Sequence, residues 1–350
     1  MEDAADSEQG RSGGLTGLPR RRFLTGMAAG AFLSGTGGAR ALAAAEDLHF
    51  VHAFGETTLP KPAERVVSLG YTTQDPLLAL GVRPVAIRQW FGSFPHGVWP
   101  WAQPLLGDAQ PTMISGEVSM EVVAALAPDL IVGIGSGISE AEYTVLSQIA
   151  PVLMQPVGLP AYGMAWDELT RMLGRAVGRS ARAEEAVAAS RRRFADARAR
   201  HPGWDGQTAV CAYNYGGETG AFTGFDTRAS FLAELGFRPP PSLIELADPN
   251  VFYTPLSPED LSPLDADLLV WISSSDVVSD IVALPMRRTL QAHKEGREVL
   301  AGALVAGALS FGSVLSLPFA LEQLEADIAL ALDADPATVV TSAAAAGLAP

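Results

Sequence analysis

Residues 180–203 read SARAEEAVAASRRRFADARARHPG. Ala183, Ala186, Val187, Ser190, Phe194 and Ala197 recur at helical spacing and share one stripe. Arg182, Glu184, Glu185, Arg191 and Arg193 face elsewhere. Ser180 suits the N-cap, and His201-Pro202-Gly203 stops the helix. A helix of this length extends roughly 30 Å, enough to join two lobes as a stiff strut. Its position decides the fold, because residues 166–200 contain no strand candidate while strands and helices alternate on both sides.

Upstream, short β-branched runs at 49–54, 66–70, 84–88, 130–133 and 152–156 predict strands. Helical patterns at 74–80, 120–126 and 140–149 fall between them, a rhythm that predicts a parallel sheet with helices on both faces. Downstream the alternation restarts, with strands expected at 208–215, 220–224, 268–273 and 299–304 and helices at 228–235, 258–264, 286–294 and 318–332. The predicted fold is α/β, two Rossmann-like lobes joined by one long rigid helix. Its parts are a segment at 1–45, an N-terminal lobe at 46–179, the helix at 180–201, a C-terminal lobe at 202–333 and an Ala-rich, frayed tail at 334–350. Ligands of such sheets bind at the carboxyl ends of the strands, so the cleft between the lobes is the expected site.

The first segment reads as an address. Arg20-Arg21-Arg22-Phe23-Leu24 precedes a short apolar run and the small-residue stretch Ala41-Leu-Ala-Ala-Ala45, the layout of a cleavable export signal. Its Arg20 and Arg21 resemble the pair of the twin-arginine signal. No cysteine lies near the cleavage region, so the mature chain is expected outside the cytoplasm without a lipobox anchor, in the periplasm or on the outer face of the membrane.

Composition narrows the function. The 350 residues carry 39 Asp and Glu against 24 Lys and Arg, a net charge of −15, which disfavours a nucleic-acid partner. The single cysteine, Cys211, cannot build a zinc or iron–sulfur site and reads as a buried core residue. The five histidines are scattered, so the protein itself is expected to coordinate no metal. No phosphate-cradling loop, zinc-hydrolase helix or serine elbow is present, and Gly133-Ile-Gly-Ser-Gly137 lacks the spacing of a dinucleotide loop. The chain does not read as an enzyme.

After the third strand the sequence is dense in rings. Arg88, Trp90, Phe91, Phe94, Trp99 and Trp101 follow closely, and three of the six tryptophans fall in this stretch. Aromatics on a loop wall a pocket or fold back over a core, and these are expected to wall a pocket. From the second lobe Tyr213, Tyr215 and Phe222 lie on neighbouring strands, and Trp271 ends a later one.

Several stretches together resemble the siderophore and cobalamin class of periplasmic binding proteins, with two lobes and one connecting helix (class III). They are Pro62-Ala-Glu-Arg-Val-Val-Ser-Leu-Gly70, the return Gly81-Val-Arg-Pro-Val-Ala86, and Ser119-Met-Glu-Val-Val-Ala-Ala-Leu-Ala-Pro-Asp-Leu-Ile131. Ser257-Pro-Glu-Asp-Leu-Ser-Pro-Leu-Asp-Ala-Asp-Leu-Leu-Val270 is the matching copy in the second lobe. The resemblance implies a monomeric receptor that captures a ferric siderophore and delivers it to the permease of an ABC importer. It further implies that Glu121 and Glu259, each heading a helix, dock on permease arginines. A siderophore supplies its own oxygen donors, so no resident cofactor is implied. Rings would cover the organic shell, and Arg88 would meet an anionic chelate. Haem, cobalamin or another chelate is the alternative cargo, with Tyr71 or His96 as an axial ligand. An exported enzyme on a similar two-lobed fold is a further alternative.

Overall fold

The first lobe is built on strands too short and too buried to show alternation. In the computed structural model, which describes residues 47–224, 226–248, 251–276 and 278–350, an antiparallel hairpin of β1 (His49–His52) and β2 (Gly55–Thr58) comes first. It is followed by β3 (Val66–Ser68), β4 (Ala86–Arg88), β5 (Thr112–Ile114), β6 (Leu130–Val132) and β7 (Val152–Leu153). These five form a parallel sheet in the order β5-β4-β3-β6-β7. Every residue of β3 and β6 is buried, because helices cover both faces of the sheet.

The second lobe is mixed. β8 (Ala209–Tyr215), β9 (Glu218–Phe222), β10 (Tyr253–Leu256), β11 (Leu268–Ile272) and β12 (Glu298–Ala301) are arranged β10-β9-β8-β11-β12. β8, β11 and β12 run parallel, whereas β9 is antiparallel to both its neighbours. Gly216 and Gly217, at φ 62° and 86°, make the two-residue turn between β8 and β9 that only left-handed backbone closes without splaying the strands. β10 carries Pro255 and lies at the sheet edge, where a missing N–H costs no ladder bond.

The helix Ser180–Arg200 joins the lobes as expected. Its Ala183 packs in the first-lobe core, and its Val187, Phe194 and Ala197 pack in the second. Phe194 meets Phe231 edge-on at 5.6 Å, which anchors the far end. Arg179, not Ser180, occupies the N-cap position, and no side chain caps the helix. The described residues form one compact unit.

Four expectations are corrected. The tail is not frayed: a helix at Thr341–Ala345 packs on β12, Leu348 is buried, and Arg287 donates from Nη1 to its carbonyl at 3.0 Å. The strand expected at 299–304 ends at Ala301, and the helix Ala303–Phe311 follows. The helix expected at 258–264 is a single 3-10 turn at Ser262–Leu264. The helix expected at 286–294 is a 3-10 turn, Pro285–Thr289, followed by the short helix Gln291–Lys294. Cys211 is buried, and burial pushes its thiol up, so it stays protonated and inert. No described helix is long and apolar enough to cross a membrane. Arg20 and Arg21 lie outside the described residues.

Candidate functional site

Loops at the carboxyl ends of β3, β4 and β6 meet the second lobe across a cleft with two adjoining recesses. The smaller, of about 300 Å³, is lined by Tyr71, Trp90 and Tyr162 from the first lobe and by Arg228, Phe252 and Phe311 from the second. The larger, of about 890 Å³, is lined by Phe91 and Trp99 opposite Tyr213, Tyr215, Phe222 and Tyr253. Arg228, Phe252 and Ser310 border both. These volumes lie within the ~300–1,000 Å³ span of small-molecule sites.

The aromatic loop divides into two parts. Trp90 is 42% exposed, stacks on Tyr71 at 5.7 Å and stands 5.8 Å from Phe311 of the opposite lobe. It presents open ring surface to the smaller recess. Trp99 is only 4% exposed and reaches across the lobes instead. A Cβ added at Gly307 would come within 2.3 Å of its ring, so that helix glycine is the seat for the indole. Trp101 stacks on Trp99 at 5.0 Å and borders neither recess.

Behind these rings lies a polar pin between the lobes. Trp101 donates from Nε1 to Asp75 Oδ2 at 2.7 Å, and Ser313 of the second lobe donates from Oγ to the same oxygen at 2.6 Å. Asp75 is fully buried, and its Oδ1 has no hydrogen-bond partner among the described residues. Burial pushes the carboxyl up to about 6, against the two hydrogen bonds that favour its charged form.

On the second lobe Arg228 is the one cation bordering the cleft among the described residues. Asp226 caps the helix Thr227–Glu234 and holds the Arg228 guanidinium in a fork, accepting from Nε at 2.7 Å and from Nη2 at 2.6 Å. Arg228 Nη1 donates to Ser310 Oγ at 3.2 Å, and the guanidinium lies 3.6 Å over the Phe222 ring. Tyr213 donates its hydroxyl to Glu218 at 2.8 Å, and burial together with that carboxylate pushes the phenol up. Among the described residues no group of three or more His, Cys, Asp or Glu side chains converges.

Of the residues singled out from sequence, Tyr71, Trp90, Phe91, Trp99, Tyr213, Tyr215 and Phe222 border the cleft. Arg88, Trp101 and Trp271 do not. Arg88 lies 4.7 Å over the Tyr71 ring and donates to the carbonyls of Gly116 and Ser136, and it lines neither recess. Trp271 is wholly buried in the second-lobe core, where it donates from Nε1 to Glu298 at 2.8 Å. Tyr162, Arg228, Phe252 and Phe311 went unrecognised in the sequence. Only Asp226, a capping residue just before a helix, could have pointed to Arg228.

Glu121 is exposed in the first turn of the helix Met120–Ala125, which follows β5. Glu259 does not head a helix. It is exposed in a turn after β10, where its amide donates to Ser257 Oγ at 3.3 Å. β5 and β10 are both edge strands, and β10 runs in the direction of β8, so each carboxylate follows the carboxyl end of its lobe's outermost strand.

Two lobes, one rigid helix and a cleft at the strand ends define a solute-binding receptor, and the chain belongs to the periplasmic binding protein family, whose model matches residues 66–303. Among solved structures it is similar to a periplasmic solute binding protein from Mycobacterium smegmatis, with 33% identity over 82% of this chain and 99% of that one, and a TM-score of 0.71. It is also similar to Streptococcus pneumoniae PiaA in complex with ferrichrome, with 23% identity, 82% and 99% coverage and a TM-score of 0.69. Staphylococcus aureus SirA complexed with staphyloferrin B shares 21% identity, with 82% and 99% coverage and a TM-score of 0.66. No curated protein matches the chain.

Proposed function

We propose that this protein captures a ferric siderophore outside the cytoplasm and hands it to the permease of an ABC importer. The observation that carries the reading is the ring-lined cleft between the two lobes. Aromatic faces suit the organic shell of a chelate, and a hexadentate siderophore leaves iron no vacant position for a protein ligand. The ligands named for PiaA and SirA, ferrichrome and staphyloferrin B, support the same class of cargo. The protein works without a resident cofactor and without catalysis, as a monomer exported through the signal at Arg20 and Arg21. Glu121 and Glu259 dock on the permease, one from each lobe.

Native mass spectrometry of the mature protein against a panel of ferric chelates tests the reading. One chelate per chain is the expected result. A Soret band on adding haem, with no ferric chelate bound, would overturn it.

A further inference from the structure

The charge of the cleft names the class of chelate, an inference that rests on the proposed siderophore capture. Among the described residues four charged side chains border the two recesses: Arg228, Asp226, Glu218 and Asp276. The one cation is already neutralised, because the Asp226 carboxylate grips it through two short hydrogen bonds and the Phe222 ring covers its face. An anionic ligand would have to compete with Asp226 for it. Glu218 and Asp276 remain, both exposed on the wall of the larger recess. Glu218 accepts from the Tyr213 hydroxyl, and Asp276 accepts from the amide of Ala303 at 2.9 Å, and among the described residues neither is paired with a cation.

Arg88, which lies 4.7 Å over the Tyr71 ring and lines neither recess, is turned toward the Gly116 and Ser136 carbonyls. The chain as a whole carries −15, which adds a field of the same sign at long range. Iron(III) bound by three monoanionic bidentate arms, as in a trishydroxamate, gives a complex of zero charge, or +1 where the scaffold carries a free ammonium. Three dianionic catecholate arms leave −3. We infer that the cleft selects neutral and cationic hydroxamate-type ferric chelates and rejects polyanionic catecholate ones, with Glu218 and Asp276 as the selecting groups.

The test uses the mature protein and three probes: ferrioxamine B (cationic), ferrichrome (neutral) and ferric enterobactin (−3). Tryptophan quenching should give binding of the first two at least 100-fold tighter than the third. Raising salt should weaken ferrioxamine B but leave ferrichrome nearly unaffected, because only the former draws on screened attraction. The double variant Glu218→Gln, Asp276→Asn should lower affinity for ferrioxamine B about tenfold more than for ferrichrome, the effect of two partly screened carboxylates. Ferric enterobactin bound as tightly as the hydroxamates would overturn the charge inference while leaving chelate capture standing. Salt-independent binding of ferrioxamine B would likewise overturn the roles of Glu218 and Asp276, whether or not the variant folds. Failure to bind any of the three, or any chelate of the wider panel, would remove the siderophore reading itself and the inference with it.

Discussion

The cleft wall supplied by the first lobe, from Tyr71 to Leu169, carries no charged side chain, whereas the wall supplied by the second carries Glu218, Asp226, Arg228 and Asp276. One wall offers ring surface, which binds by area and discriminates weakly. The other adds charge to rings of its own, such as Tyr213, Phe222 and Phe252, and that charge adds little affinity but separates ligands by sign. Both lobes thus supply ring surface and only the second supplies selectivity by charge, a division that holds only while the lobes keep their spacing. The helix Ser180–Arg200 and the pin at Asp75, Trp101 and Ser313 provide that.

The largest expected effect comes from breaking the seam between the walls. Trp99→Ala empties the space between the loop and Gly307 and should cost ~3–5 kcal/mol of stability. A urea unfolding midpoint that stays at the parent value would show that the indole is not part of the seam.

Asp75 allows the seam to be tuned by pH. Its carboxyl is raised from 3.8 to about 6 in the folded chain, so the native state holds a proton that the unfolded state has lost between those values. The stabilisation is therefore complete below 3.8 and is lost as pH rises through about 6, a difference of about 3 kcal/mol. Asp75→Asn should flatten this dependence and leave the variant more stable than the parent at pH 7. Equal slopes for both proteins between pH 4 and 6.5 would contradict the assignment.

Trp90→Ala sharpens the contrast on the open side. Loss of that exposed ring should reduce chelate affinity roughly 30- to 100-fold, ~2–3 kcal/mol by area, with an unchanged far-UV spectrum. Binding at parental affinity would move the ligand away from the first-lobe wall. The smallest effect on binding is expected at the rim. Glu121→Arg with Glu259→Arg should leave the chelate dissociation constant within about twofold yet sharply reduce transporter ATPase stimulation, because rim charges set register. Normal stimulation by the loaded double variant would remove both residues as permease contacts.

The strut was legible in the sequence because its stripe from Ala183 to Ala197 repeats at helical spacing over many turns. β3, β6 and β11 were legible as dense apolar runs. β5 and β10 were not. Thr112–Ile114 buries only Ile114 and so shows no apolar run, and Tyr253–Leu256 contains a proline, which argues against a strand away from an edge. The helix Ala303–Phe311 was missed because its residues are apolar on nearly every face, so no period shows. With it went Gly307, Ser310 and Phe311. Trp271 was misplaced for a related reason: on a strand buried on both faces, position along the strand does not tell cleft from core. The aromatic loop showed that rings cluster near the site. Spacing on a loop carries no face, so it could not separate Trp90, which borders the cleft, from Trp101, which pins the lobes.

Hydrogen exchange of the mature protein with and without ferrichrome tests most directly that one ligand is held between the two walls. Amides near Tyr71 and from Trp90 to Gly92 on the first lobe should gain protection together with those of Thr227, Arg228, Phe252 and Tyr253 on the second. Protection confined to a single lobe, or appearing only away from the cleft, would contradict the account.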